Sequence, residues 1–204
     1  MRNYASIAVI EFGSIADGIY CTDAILKRAP IAMIKSGTVS HGKYLVIIGG
    51  STGSVDESLN EALTIGQKSI IDHAFLPDVH SNVHDAVLGT RTPLLQDAVA
   101  ILETSTVASN VRAAELAVKG TEVQLVELRL AEYELSGKAI SIYNGELFRV
   151  EAAMDIAAGF LRGRKEYIQH RIIAQPHEIL TQKLAAGTQF AIAKPHALEG
   201  EEVS

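Results

Sequence analysis

Apolar and polar positions fall in blocks along this chain that read as short strands alternating with amphipathic helices. Residues 5–12, "ASIAVIEF", are apolar and β-branched except for Glu11 and read as a strand. From about Ala16 to Arg28 the pattern becomes helical, with Ala24, Ile25 and Leu26 supplying apolar contacts. Two strands then flank the loop "TVSHGK", and "GG" turns the chain toward a second helix from Val55 to about Gly66. Val55, Leu59, Ala62 and Leu63 share one face of that helix. A final short strand ends near Leu76. The predicted order is β-α-β-β-α-β.

That order is written twice. Ile7 to Ile34 aligns without a gap on Val99 to Val126, at an offset of 92 residues that places Glu11 on Glu103, Ala16 on Ala108 and Lys27 on Lys119. The second copy then gains three residues in "AEYELSGK", so that Gly42-Lys43 meets Gly137-Lys138, and "LPDVHSNV" matches "IAQPHEIL" near the two ends. The expected organisation is a first domain over residues 5–90, a second over 97–186 and a C-terminal extension over 187–204, with Pro93 and the polar "GTRTPLLQ" as linker. The fold class is α+β: two tandem split βαβ, ferredoxin-like units, each an antiparallel sheet covered by helices.

Composition narrows the function. With 204 residues, 48% hydrophobic and 21% charged, the chain is an ordinary globular one able to bury a sizeable core. Its net charge of −6 leaves no basic excess for a run of phosphates or an anionic membrane, so neither nucleic acid nor membrane is expected as a partner. A single cysteine, Cys21, makes no internal disulfide, and Glu11 interrupts what would be the apolar core of a secretory signal. The expected compartment is the reducing cytoplasm. "GGSTGS" (49–54) lacks the lysine of a phosphate-binding loop and is equally a hairpin turn entering a helix. His80 and His84 lack a third metal ligand at suitable spacing and read as surface histidines; "HEIL" at His177 reads as a helix start. Cys21 reads as a small, partly buried thiol without a partner base. A fold of this class hosts many functions, so a duplicated regulatory module binding a metabolite between its domains stays open beside a structural role. An enzyme would need converging titratable groups, which the sequence does not offer.

The combination of "IAVIEFGSIADGIYCTDAILKRAP", "GTVSHGKYLVIIGGSTGSVDESL" and "LPDVH", repeated as "VAILETSTVASNVRAAELAVKG", "LSGKAISIYNGELFRVEAA" and "IAQPH", resembles bacterial microcompartment shell domains. The tandem, non-permuted members are the nearest in pattern. The resemblance implies a homotrimer forming a single-layered pseudohexameric disc. Such discs tile edge to edge with other shell proteins around encapsulated enzymes, within the cytoplasm, and need no catalytic residue. It also implies a central pore for small metabolites, ringed by Ser40, His41 and Gly42 from one domain and by Glu132, Tyr133, Glu134, Ser136 and Gly137 from the other. Their carboxylates make an acidic mouth the expectation. The family's edge lysine falls on Lys27 and Lys119, while Asp78 and Gln175 stand where its edge arginine would be. Some tandem members bind an iron–sulfur cluster through a cysteine in the first pore loop; Ser40 occupies that place here, so neither cluster nor other cofactor nor metal is expected. The acidic end of the C-terminal extension reads as a solvated, disordered tail.

Overall fold

The computed structural model describes residues 4–95 and 97–195. The first unit runs β1 (Ser6–Phe12), α1 (Ile15–Arg28), β2 (Met33–Val39), β3 (Lys43–Gly50), α2 (Thr52–Ile65), β4 (Ile70–Pro77) and α3 (Ser81–Val87). The second runs β5 (Ala98–Thr104), α4 (Val107–Gly120), β6 (Gln124–Leu130), β7 (Ala139–Gly145), α5 (Leu147–Leu161), β8 (Tyr167–Ile173) and α6 (Glu178–Ala186). Each unit holds one four-stranded antiparallel sheet, in the orders β2-β3-β1-β4 and β6-β7-β5-β8. The duplication reaches into detail. Pairing of β1 with β4 slips between Glu11 and Phe12, and pairing of β5 with β8 slips at the same place, between Glu103 and Thr104.

Local chemistry sets the element ends. Ser14 caps α1 by accepting the Asp17 N–H at 3.2 Å, and Pro30 forces Ala29 into extended backbone, which stops the helix. Gly18 sits in α1 because a Cβ there would lie 2.6 Å from the Tyr44 ring. Ser51 caps α2 in the same manner through the Ser54 N–H. The short helices α3 and α6 begin at His80 and His177, whose ring Nδ1 atoms accept the N–H two residues on.

Every residue of β1 is buried, Glu11 included, since this strand is covered on both faces. One face, with Ile10, Phe12, Val46 and Ile48, packs beneath α1 and α2 against Ile25 and Val55. The other carries Ile7, Val9, Leu45, Ile47 and Leu76 and packs on α3 and on α4 of the second unit, in one cluster with Val83, Val107, Val111 and Ala114. Helix α4 is thus held between two sheets, which explains its alanines at 108, 113, 114 and 117: small side chains let both sheets approach. Each large side chain sealed there stabilises the fold by roughly 1.5–3 kcal/mol.

Candidate pore loops and assembly surfaces

The two loops that join the second and third strands of each unit meet. Ser40–Gly42 and Tyr133–Leu135 each form a single 3-10 turn. The Ser40 hydroxyl lies 2.9 and 2.7 Å from the carbonyl oxygens of Ala131 and Glu132 and accepts the Gly137 N–H at 2.7 Å. His41 at φ 65°, Ala131 at 52° and Ser136 at 48° take left-handed backbone that costs a side-chain-bearing residue energy, and these cross-loop bonds hold it in place. Gly137, at φ 79°, has no such cost, and a Cβ there would crowd His41 at 3.1 Å.

Beneath the loops, Lys43 spends all three donors: Nζ reaches Glu11 Oε2 at 3.3 Å, the Ser105 carbonyl at 2.9 Å and the Gly137 carbonyl at 3.0 Å. Glu11 Oε1 accepts the Ala108 N–H at 2.8 Å, capping α4 from the other domain. The N-cap residue of α4, Thr106, is free to donate to Asp72 at 2.6 Å, beside Ser109 at the same distance. Burial raises the Glu11 carboxyl to about 7, against the smaller opposing pull of the Ala108 N–H and Lys43, with Asp72 adding to the rise.

The loop carboxylates are partly neutralised. Arg129, 4% exposed, donates to Glu132 Oε2 at 3.0 and 2.7 Å and to Glu134 Oε2 at 3.2 Å, so the two carboxylates share one guanidinium. Gln189 adds a bond to Glu132 at 2.9 Å. Partial burial pushes the Glu132 carboxyl up, but the bonds from Arg129 and Gln189 and the charges of Arg129 and Lys35 outweigh it and hold it below its ordinary value. Tyr133 is 92% exposed, and His41 and Gly42 are exposed beside it. Arg129 sits on the edge strand β6, outside the loop that carries the sequence signal; its place at a strand end, next to two glutamates, is visible only in three dimensions.

The four edge residues divide into two pairs. Lys119 Nζ donates to the Asp78 carbonyl oxygen at 2.6 Å and pairs with Glu115 Oε1 at 2.7 Å, while the buried Glu115 carboxylate accepts the His80 N–H at 3.1 and 3.2 Å. Lys119 therefore anchors one domain to the turn of the other. Lys27 lies exposed at the matching place on α1 and pairs with Asp23 at 2.5 Å; Gln175 is exposed elsewhere, with no bond between them. His84 departs from the surface reading: it is buried, accepts the Tyr4 N–H at Nε2 and so turns its Nδ1 proton toward Asp85, 2.9 Å away. Cys21 is wholly buried, and burial first, then the Asp17 charge, raises its thiol above the ordinary value. No group of three or more His, Cys, Asp or Glu able to hold a metal ion occurs among the described residues, and no described helix is long and apolar enough to cross a membrane.

The sharpest asymmetry lies in the first helices. Val107, Val111 and Val118 of α4 are sealed against the first domain at 0%, 0% and 4% exposure. Their counterparts on α1, Ile15, Ile19 and Leu26, stand 37%, 55% and 51% exposed. The polar network behaves alike. Glu11 and Lys43 are buried, whereas Glu103 and Lys138 hold the same pair at 2.7 Å with both side chains reaching solvent. Helix α3 buries four residues and α6 none.

Residues 6–79 and 98–176 each match the BMC domain family. The chain is 30% identical over 182 residues to the bacterial microcompartment shell protein PduT of Citrobacter freundii, a match that covers 89% of this chain and 98% of that protein. A crystal structure of a microcompartment protein from Desulfitobacterium hafniense superposes with a TM-score of 0.76 at 32% identity, covering 87% of this chain and 98% of that one. A fused permuted hexameric shell protein of the RMM microcompartment shares the fold, with a TM-score of 0.57 at 20% identity over 79% and 86% of the two chains. Two BMC domains in tandem define the class. The chain belongs to the bacterial microcompartment shell protein family and has a shell protein's structural role.

Proposed function

We propose that three copies of this chain close into a ring of six domains that tiles into a microcompartment facet and passes small polar metabolites through its centre. The observation that carries this reading is the exposed α1 face opposite the sealed α4 face. One seam between domains is made within the chain, and both halves of a second seam are left open: Ile15, Ile19 and Leu26 on one side, the Glu103–Lys138 pair and α6 on the other. The two halves are not self-complementary, so they join head to tail, and a head-to-tail contact closes by rotation. With two domains per chain, a six-domain ring needs three chains.

In that ring Ser40, His41 and Gly42 alternate with Glu132, Tyr133, Glu134, Ser136 and Gly137 about the axis. Lys27 and Lys119, with Asp78 and Gln175 beside them, lie along the rim that faces neighbouring shell proteins. The role is structural, without catalysis, and encapsulated enzymes lie on one face of the layer. Light scattering tests the ring directly: the expected mass is three times that of the 21.9 kDa chain, and a stable monomer at micromolar concentration overturns it.

A further inference from the structure

A cavity of about 660 Å³ opens between β2, β3 and α3 of the first domain and β6 of the second, with Lys35 and Thr38 at its edge and Leu45, Ile47, Val87 and Leu128 on its floor. The duplication supplies a reference for it, because the corresponding place in the second domain is filled. There the linker crosses the sheet: Thr92 N–H donates to the Val126 carbonyl at 3.0 Å, and Leu94 packs on Val99, Val126 and Ile142. Arg91 lies 3.0 Å from Glu127 and donates to the Leu184 carbonyl of α6 at 2.6 Å. In the first domain Ile7 and Ile47 correspond to Val99 and Ile142, and Lys35 to Glu127, while Val126 sits at a register shift of β6 and its sequence counterpart Ile34 packs toward α1 and α2.

The chain also carries a second linker-like segment. With His80 on His177, "RTPLL" (91–95) falls on "TQFAI" (188–192), which leaves α6 just as the linker leaves α3. In the isolated chain this arm bends at Gly187, φ 118°, and lies on its own domain through Thr188 to Arg129 and Gln189 to Glu132. Phe190 and Ile192 are left 92% and 64% exposed. Their linker counterparts, Pro93 and Leu95, are exposed as well, so the inward position of the arm is Ala191, which falls on Leu94. Both members of the charge pair differ in the other copy: Arg91 faces Glu127 in the filled site, whereas Thr188 replaces the arginine and Lys35 the glutamate. An arginine in the arm would meet a lysine; a threonine meets it without repulsion.

We infer that in the assembled ring, on whose head-to-tail seam this rests, the arm Thr188–Ile192 of each copy crosses to the next and fills the cavity between β2, β3 and α3. It follows the path that the linker takes within the chain. Thr188 lies beside Lys35 of the neighbouring copy, Gln189 N–H donates to the β2 edge at Ile34, and Ala191 packs on Ile47. The seam that lacks a covalent linker thereby gains a non-covalent one.

Co-expression of two singly substituted chains, Lys35→Cys and Thr188→Cys, tests the crossing, since only a bond between chains can join them. Mild oxidation should yield a disulfide-linked pair on a non-reducing gel, and either variant alone should not. In parallel, Ala191→Asp, which sets a carboxylate against Ile47 of the next copy, should raise the concentration at which trimers half-dissociate by about tenfold or more. A trimer that shows neither the cross-link nor the weakened association overturns the crossing arm and leaves the ring standing. A native chain that scatters as a monomer overturns the ring itself.

Discussion

The Lys43 ammonium stands 3.3 Å from Glu11 and 3.0 Å from the carbonyl oxygen of Gly137, so one buried side chain ties the end of the first sheet to the β6–β7 loop of the second. The consequence is a pH dependence. Glu11 is raised in the folded chain from 4.5 to about 7, and a carboxyl raised on folding contributes stability that is complete below the unfolded value and lost as pH climbs through the folded one. Thermal melts of the native chain should therefore lose stability between about pH 4.5 and 7, by on the order of 3 kcal/mol at most. Glu11→Gln keeps an acceptor for the Ala108 N–H without a charge to bury, and its melts should be nearly flat over that range. Equal slopes in both proteins would remove Glu11 as the cause.

Ile19 and Val111 occupy one position of the duplicated helix and should respond differently to the same change. Ile19→Asp places a charge on a face open in the single chain, so the protein should fold with an unchanged monomer spectrum yet scatter light as a monomer. Val111→Asp buries a charge between two sheets and should cost about 3 kcal/mol or more of folding stability. A trimeric Ile19→Asp would mean that α1 faces something other than another copy.

Tiling is read at the rim. Lys27→Asp with Lys119→Asp brings like charges together where neighbouring discs abut, and sheets or tubes seen by electron microscopy of the native protein should disappear while trimers remain. Lys119 also bonds the Asp78 carbonyl, so Lys119→Asp alone should lower the melting temperature of the chain and Lys27→Asp should not. Extended arrays that persist in the double variant would move the rim elsewhere.

At the proposed pore, Glu132 and Glu134 share Arg129, which leaves one surplus negative charge for each loop. Changing both glutamates to Gln does more than neutralise, because the guanidinium is then uncompensated at the mouth. Anion flux through reconstituted pores should rise, most at low ionic strength where screening is weakest. Arg129→Gln should move flux in the opposite direction. Identical anion flux in all three proteins at low salt would place these groups away from the path.

Strands, long helices and the duplication are legible in the sequence because each rests on local periodicity or on self-comparison. Helix α3 is not, and of α6 only the start at His177 is. "SNVHDAV" is seven residues long, carries a histidine at a buried position, and is held by packing under α4 rather than by its own propensity. His84 reads as a surface residue for the same reason: it is covered by contacts such as that of Tyr4, 80 residues away in sequence. Glutamate recurring inside two otherwise apolar strands, and lysine recurring after two loop glycines, were visible as Glu11, Glu103, Lys43 and Lys138. The union of Glu11 and Lys43 in a buried pair is a property of sheet register, with Glu11 opposite Leu45 two residues from Lys43. Arg129 carries no repeat signal at all, since Gly37 stands at its counterpart.

The linker from Leu88 to Asp97 changes the reaction order of assembly. Six separate domains closing a ring give a product whose amount follows the sixth power of their concentration, while three joined pairs follow the third. Each tethered pair meets at an effective concentration set by the tether, in the millimolar range for short links, and independent of how much protein the cell makes. A shell drawing on such chains is correspondingly less sensitive to fluctuations in their supply.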